Sequence, residues 1–157
     1  MRRRKPISEK DLMSQSKLEN ITFSSPVERM YFAWDHALSR KDMTALVALY
    51  APNAVFESPL VPYLLGGERG ILHGREELRR LFDRLAQTQP PLRQFYRTGY
   101  LTDGKRLIWE YPREASSGDQ MDFVEAMELN DDGLIQEHRV YWGWFGFGTL
   151  KRNEHPK

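Results

Sequence analysis

Cysteine is absent from the 157 residues, which removes disulfides, thiol nucleophiles and cysteine-held metals together and fits a reducing compartment. Long apolar runs are missing as well. No stretch is long enough to span a bilayer, and the basic start Met1-Arg2-Arg3-Arg4-Lys5 leads into polar residues rather than into the apolar core of a signal peptide. The expected location is the cytoplasm. An excess of one charge is also lacking. With 23 basic against 22 acidic residues, no global field draws nucleic acid or a membrane surface. His36, His73, His138 and His155 are scattered, with no pair at metal-ligand spacing, so no metal is expected. Gly66-Gly67-Glu68-Arg69-Gly70 lacks the lysine and hydroxyl residue that complete a phosphate loop, and no Gly-x-Ser-x-Gly elbow occurs. No cofactor is expected.

What is present is enough for one domain. A hydrophobic content of 40% in this length supports a real core. Residues 1–24 read as a loose polar arm, 25–150 as the domain and 151–157 as a tail. Ser25-Pro26-Val27-Glu28 is a capping box with proline at the first helical position. The helix it opens has Val27, Met30, Tyr31, Trp34, Ala37 and Leu38 as its buried stripe, with Asp35 and His36 on the flank. Asp42 caps a second helix whose Met43, Leu46, Val47 and Tyr50 share a face, and Pro52 ends it. Ala54 to Ser58 reads as a first strand, and Leu60 to His73 as an apolar, glycine-bearing loop that covers something, whether a cavity, ordinary packing or a dimer contact. A third helix opens at Gly74, buries Leu78, Leu81, Phe82 and Leu85, and stops at Pro90-Pro91.

From Leu92 the pattern changes to strands. Leu92 to Leu101 and Lys105 to Arg113 flank the hairpin signal Asp103-Gly104. Pro112 marks an edge or a bulge and leaves open whether Trp109 and Tyr111, or Ile108 and Glu110, face inward. Residues 120–147 form the strand-turn-strand on which the reading turns. Its first arm alternates Met121, Phe123, Glu125, Met127 and Leu129 on one face, so a carboxylate stands in an apolar row. Its second arm puts Gln136, His138, Val140 and Trp142 together. A turn of two or four residues places Glu125 and His138 on the same face, while a three-residue turn with a bulge separates them. The aromatics Trp142, Trp144, Phe145 and Phe147, interleaved with glycines, read as hydrophobic wall and interface rather than as a base-stacking platform.

Three helices, one strand and an antiparallel meander make an α+β domain, with a strongly bent sheet packed around the helices. ALSRKDMTALVALYAPNAVFESPL, ILHGREELRRLF and MELNDDGLIQEHRVYWGW, in that order, resemble the SnoaL-like branch of the nuclear transport factor 2-like superfamily over residues 26 to 148. The resemblance implies a cone-shaped α+β barrel, its open end holding a small apolar ligand, often in a homodimer. It leaves function open, because the superfamily holds isomerases, hydrolases, cyclases and non-catalytic proteins. Against the ketosteroid isomerase pattern, the base falls at Ser58 and is missing, the oxyanion tyrosine falls at Trp34, and the protonated carboxylic acid falls at Glu125. That last role belongs to the isomerase and is not read from this chain. The limonene epoxide hydrolase triad falls at Tyr111, Arg113 and Val140 and is not matched.

The candidate catalytic set is therefore Glu125 and His138, with Asp35 and Tyr31 as candidate partners. Tyr31, Trp34, Phe56, Ser58, Tyr111, Met127, Val140 and Trp142 are expected to line the ligand site. A carboxyl and an imidazole side by side in an apolar row titrate as a pair and suit general acid–base work on a small hydrophobic carbonyl compound or alcohol. The alternative is a satisfied buried pair in a non-catalytic ligand- or partner-binding protein. An enzyme needs a mouth from which Glu125 and His138 are reached. A cone filled by Trp34, Phe56, Met127 and Trp142 favours the alternative.

Overall fold

A computed structural model describes residues 22–88, 99–114 and 120–152. Most of the arm, the Pro90-Pro91 stop, much of the Leu92–Leu101 segment, the 116–119 turn and the end of the tail lie outside the described residues. The element order is α1 (Pro26–Ser39), α2 (Met43–Ala48), β1 (Tyr50–Glu57), α3 (Leu60–Leu65), β2 (Ile71–His73), α4 (Gly74–Thr88), β3 (Leu101–Thr102), β4 (Arg106–Glu114), β5 (Gln120–Leu129), β6 (Ile135–Trp142) and α5 (Trp144–Lys151). The strands form one curved sheet in the order β2-β1-β6-β5-β4-β3. All neighbours are antiparallel except β1 and β6, which run parallel. With β2 and β3 at its edges, the sheet is an open cone wall rather than a closed barrel. No helix among the described residues is long and apolar enough to cross a membrane.

Helix α1 starts where its capping chemistry requires. Ser25 Oγ accepts the Glu28 N–H at 3.1 Å, and the Glu28 carboxylate reaches back to the Ser24 N–H at 2.6 Å, so one unpaired first-turn donor and the N–H of the residue before the cap are satisfied. The stripe from Val27 to Leu38 is buried throughout and lays the helix on the concave face of the sheet. Asp42 Oδ1 accepts the Ala45 N–H at 2.9 Å and opens α2. That helix ends sooner than the apolar spacing suggests. Tyr50 belongs to β1: Pro52 drives Ala51, the residue before it, out of helical geometry, and Tyr50 itself is paired with Ile135. Two further departures have local causes. Leu60–Leu65, expected as loop, is a short helix that buries Val61 and Leu64. The chain after Trp142 does not continue as strand but turns at Gly143 into α5, so Tyr141 and Phe145 do not share a strand.

The turn between β5 and β6 decides which side chains face the interior. Asn130 Oδ1 accepts the Asp132 and Leu134 N–H groups at 3.1 and 3.0 Å, and Gly133 takes the positive φ of 72° that the bend needs. The register then slips beside Glu128 and Leu129, which turns Ile135 inward together with His138. Three rows of inward residues result. Leu107, Met127, His138 and Phe56 align across β4, β5, β6 and β1. Trp109, Glu125 and Val140 form the next row, and Phe123 and Trp142 the row beyond it, where Tyr111 is the register partner of Phe123 on β4. Strand β3 pairs with β4 only at Leu107 and Ile108. At Pro112, β4 therefore has no neighbour on that side among the described residues, which is where a strand tolerates a missing N–H.

Candidate functional site

Glu125 and His138 are brought together as diagonal neighbours on the inner face of β5 and β6, with Glu125 opposite Val140 and His138 opposite Met127. His138 Nε2 lies 2.6 Å from Glu125 Oε2. The two residues are only 2% and 1% exposed. On the other side of the imidazole, Nδ1 lies 2.8 Å from Tyr50 Oη, which in turn accepts the Trp34 Nε1–H at 3.1 Å. Four side chains from α1, β1, β6 and β5 thus form one relay. The imidazole is boxed by aromatic rings, with Tyr50 stacked at 5.9 Å and Phe56 and Trp34 edge-on at 5.0 and 5.8 Å.

The direction of donation follows from what each group can do. An indole N–H only donates, so Tyr50 Oη is its acceptor. Burial pushes the Tyr50 phenol well above its usual range; the hydrogen bond from Trp34 opposes this and the Glu125 charge adds to it. The phenol keeps its proton and gives it to His138 Nδ1. An imidazole that accepts at Nδ1 carries its proton on Nε2, so His138 donates to Glu125. The relay runs Trp34 to Tyr50 to His138 to Glu125 and ends on a carboxylate oxygen as acceptor. An imidazolium would donate at both nitrogens and leave the phenol proton with no acceptor in the relay. The polarity is opposite to that of a protonated, donating acid at this position.

The other expected site residues are placed as follows. Both ring nitrogens of His138 are used, so Asp35, half-buried on the flank of α1, has no imidazole nitrogen to hold. Tyr31 packs on Tyr100 and Trp109 at 4.8 and 5.5 Å. Trp34, Phe56 and Met127 are buried around His138, Val140 is half-buried opposite Glu125, and Trp142 meets Phe123 edge-on at 4.7 Å near the rim. Ser58, at the place of the absent base, is buried and serves the backbone: its Oγ accepts the Leu60 N–H at 3.2 Å. Tyr111 stands opposite Phe123 in register, and its side chain, like that of Arg113, lies outside the described residues.

Two residues of the site were not among the candidates. Tyr50 was hidden by its helical spacing from Met43 and Leu46, although Pro52 was the signal that it leaves the helix. Trp109 was left undecided by Pro112. It is 2% exposed and faces inward, with Ile108 and Glu110 exposed on the outer side. Two cavities are described, of about 370 and 510 Å³, the first bounded by Val61, Leu72 and Arg80 and the second by Phe23, Arg29 and Asp132. Neither reaches the relay.

The SnoaL-like domain matches residues 27–138. The chain belongs to that family. No curated protein matches it by sequence, but many solved structures share the SnoaL-like fold. A SnoaL-like protein from Burkholderia thailandensis superposes with a TM-score of 0.63 at 16% identity, covering 78% of this chain and 99% of the other. A steroid delta-isomerase from Pseudomonas aeruginosa gives 0.63 at 18% identity over 84% of this chain and 90% of its own. TerC, co-crystallised with polyporic acid, gives 0.64 at 16% identity over 82% and 99%. At these identities the likeness is one of fold.

Proposed function

We infer that this SnoaL-like protein is a cofactor-independent acid–base enzyme, an isomerase, cyclase or dehydratase, acting on a small hydrophobic molecule, with Glu125 as the proton-accepting group and His138 as its positioning partner. The observation that carries the reading is the directed relay ending on Glu125 Oε2. A buried pair of ionisable groups is a poor way to stabilise a core, whereas a carboxylate aimed and held by neutral donors is what proton abstraction requires. The fold's kinship with a steroid delta-isomerase and with a protein that was crystallised with polyporic acid supports an apolar ligand.

A second reading has its own observation. Exposures of 2% and 1%, with Trp34, Phe56 and Met127 packed around the pair, favour a non-catalytic member whose relay fixes the core. The two readings separate on variants. Glu125→Gln preserves an acceptor for His138 and removes the base, so the enzyme reading expects turnover of a substrate found by screening to fall to background with the fold intact. His138→Gln should lower the rate and change its pH dependence. Full activity in both variants sinks the enzyme reading.

The protein acts as a homodimer through the outer face of the sheet. Leu101, Ile108 and Ala126 adjoin in register there, and Tyr141, opposite Val124, is 54% exposed; a second copy covers such a face. Light scattering at micromolar concentration should give twice the chain mass, and Tyr141→Lys should halve it. A wild-type monomer rules the dimer out.

A further inference from the structure

The apolar, glycine-bearing segment between β1 and β2 reads as a cover, and the cavity of about 370 Å³ lies against it. Val61 and Leu72, both buried, form the cavity floor, with half-buried Leu65 at its edge. The glycine strap that borders it is pinned at both ends, since the Gly66 N–H donates to the Pro62 carbonyl and the Ser58 N–H to the Gly70 carbonyl, each at 2.9 Å. Gly66 and Gly67 take the positive φ values of 77° and 87° that let the strap bend there. Arg69 is thereby carried to the cavity wall, which it shares with Arg80 of α4. On that helix Arg79 is held by Asp83 at 2.8 Å and by Thr44 at 3.2 Å, whereas neither Arg80 nor Arg69 has a hydrogen bond or ion pair among the described residues. The wall carries two carboxylates as well. Glu77 is committed, its Oε2 accepting the His73 N–H at 2.7 Å, which leaves two guanidiniums against Glu68 alone.

We propose that this cavity is a binding site for a small hydrophobic carboxylic acid in its ionised form, with the carboxylate held by Arg69 and Arg80 and the apolar body seated on Val61, Leu65 and Leu72. Apolar surface that faces water in a concave site is the surface a ligand's hydrocarbon part covers with a gain in free energy. Each guanidinium offers a planar fork of N–H donors that matches a carboxylate, and hydrogen bonds between the two are charge-assisted. Beside an apolar floor the attraction is screened less than in open water. The volume stands at the small end of ligand sites, which suits a bicyclic acid. The site is separate from the relay. Leu72 pairs with Phe56 in the β1–β2 register, and Phe56 lies edge-on to His138 at 5.0 Å, so packed side chains stand between the cavity and the imidazole. The proposal therefore does not depend on the role of Glu125.

The test is isothermal titration calorimetry on the full chain with 2-naphthoate, the neutral 2-naphthamide and 2-naphthylmethylammonium. Naphthoate should bind with a Kd below about 1 mM and about tenfold more tightly than the amide, with the ammonium compound weakest. Arg69→Gln and Arg80→Gln should each weaken naphthoate about threefold, and the double variant should bring the naphthoate-to-amide ratio to near one. Both side chains are exposed, so these variants keep the fold. Arg79→Gln removes the same charge from the same helix outside the cavity wall and should leave the ratio as it is, as should Glu125→Gln. Failure of naphthoate to bind at about 1 mM, or binding of the amide or the ammonium compound as tight as that of naphthoate, overturns the proposal. An equal loss in Arg79→Gln and Arg80→Gln would reduce the effect to net charge and overturn the site. If Glu125→Gln abolishes naphthoate binding while the double arginine variant retains it, the ligand sits at the relay and the cavity assignment falls.

Discussion

Two of the carboxylates on strand β5, Glu125 and Glu128, stand three residues apart on opposite faces, and their surroundings could hardly differ more. Glu128 faces outward and is met by Arg106 at 3.1 Å and Lys105 at 3.5 Å; the hydrogen bond from Arg106 is the main cause that holds its carboxyl below the usual range. Glu125 faces inward and is met by a neutral imidazole at 2.6 Å, behind which stand Tyr50 and Trp34. The outer carboxylate is held by mobile cations in water, where a lost partner is replaced by solvent. The inner one is held by fixed neutral donors where no solvent replaces anything. The first arrangement tolerates change; the second fixes one geometry and is sensitive to every atom in it.

The largest expected effect tests that contrast on stability. Tyr50→Phe keeps the ring and deletes one oxygen, which removes the hydrogen bonds that Tyr50 makes with the Trp34 N–H and with His138 Nδ1 in a buried site. Each lost buried hydrogen bond costs about 1–3 kcal/mol, so urea unfolding should show a loss of about 2–5 kcal/mol. Glu128→Gln on the outer face should shift the same curve little or not at all. Equal effects of the two substitutions would mean that water enters the relay and that the inner and outer carboxylates are alike.

A smaller effect appears at high pH. The Tyr50 phenol is raised in the folded state, so the unfolded chain loses that proton first, near pH 10. Its contribution to stability is whole below that pH and is lost as the pH climbs from there towards the folded value. Melting temperatures measured from pH 8 to 11 should fall on the alkaline side in the wild type and fall less steeply in Tyr50→Phe. Identical slopes would show that the phenol is not held in its protonated, donating form.

The two faces also differ in how far the sequence reveals them. The α1 stripe, the capping box and the alternation along β5 follow from period and turn chemistry, and they place Glu125 inside an apolar row without further help. The pairing of Glu125 with His138 depended on the turn, and the slip beside Glu128, which keeps the pair together while turning Ile135 inward, is a feature of strand register that no local pattern fixes. Tyr50 was misplaced because helical spacing from Met43 and Leu46 outweighed the proline two residues on. Local rules find the carboxylate; the groups that orient it come from β1 and α1, distant in sequence, and only packing brings them there. The outer cluster is easier to read, since Asp103-Gly104 announces its turn and the cations follow directly.

That turn supplies the smallest test. Asp103 Oδ1 accepts the Arg106 N–H at 2.7 Å and the Lys105 N–H at 3.0 Å, and these two hydrogen bonds hold its carboxyl below the usual carboxylate range. Because the folded value is depressed, the stabilisation is complete above the unfolded carboxylate value, near pH 4, and is lost as the pH falls through the folded one. Asp103→Asn retains an acceptor oxygen for both N–H groups and removes the charge. Its melting temperature should match the wild type's at pH 2 and fall slightly below it at pH 7, a difference far smaller than that of Tyr50→Phe because the group is bathed in solvent. If Asp103→Asn proved as damaging at pH 7 as Tyr50→Phe, exposure would not be what separates the two faces of the sheet, and the hairpin turn rather than the relay would govern the fold's stability.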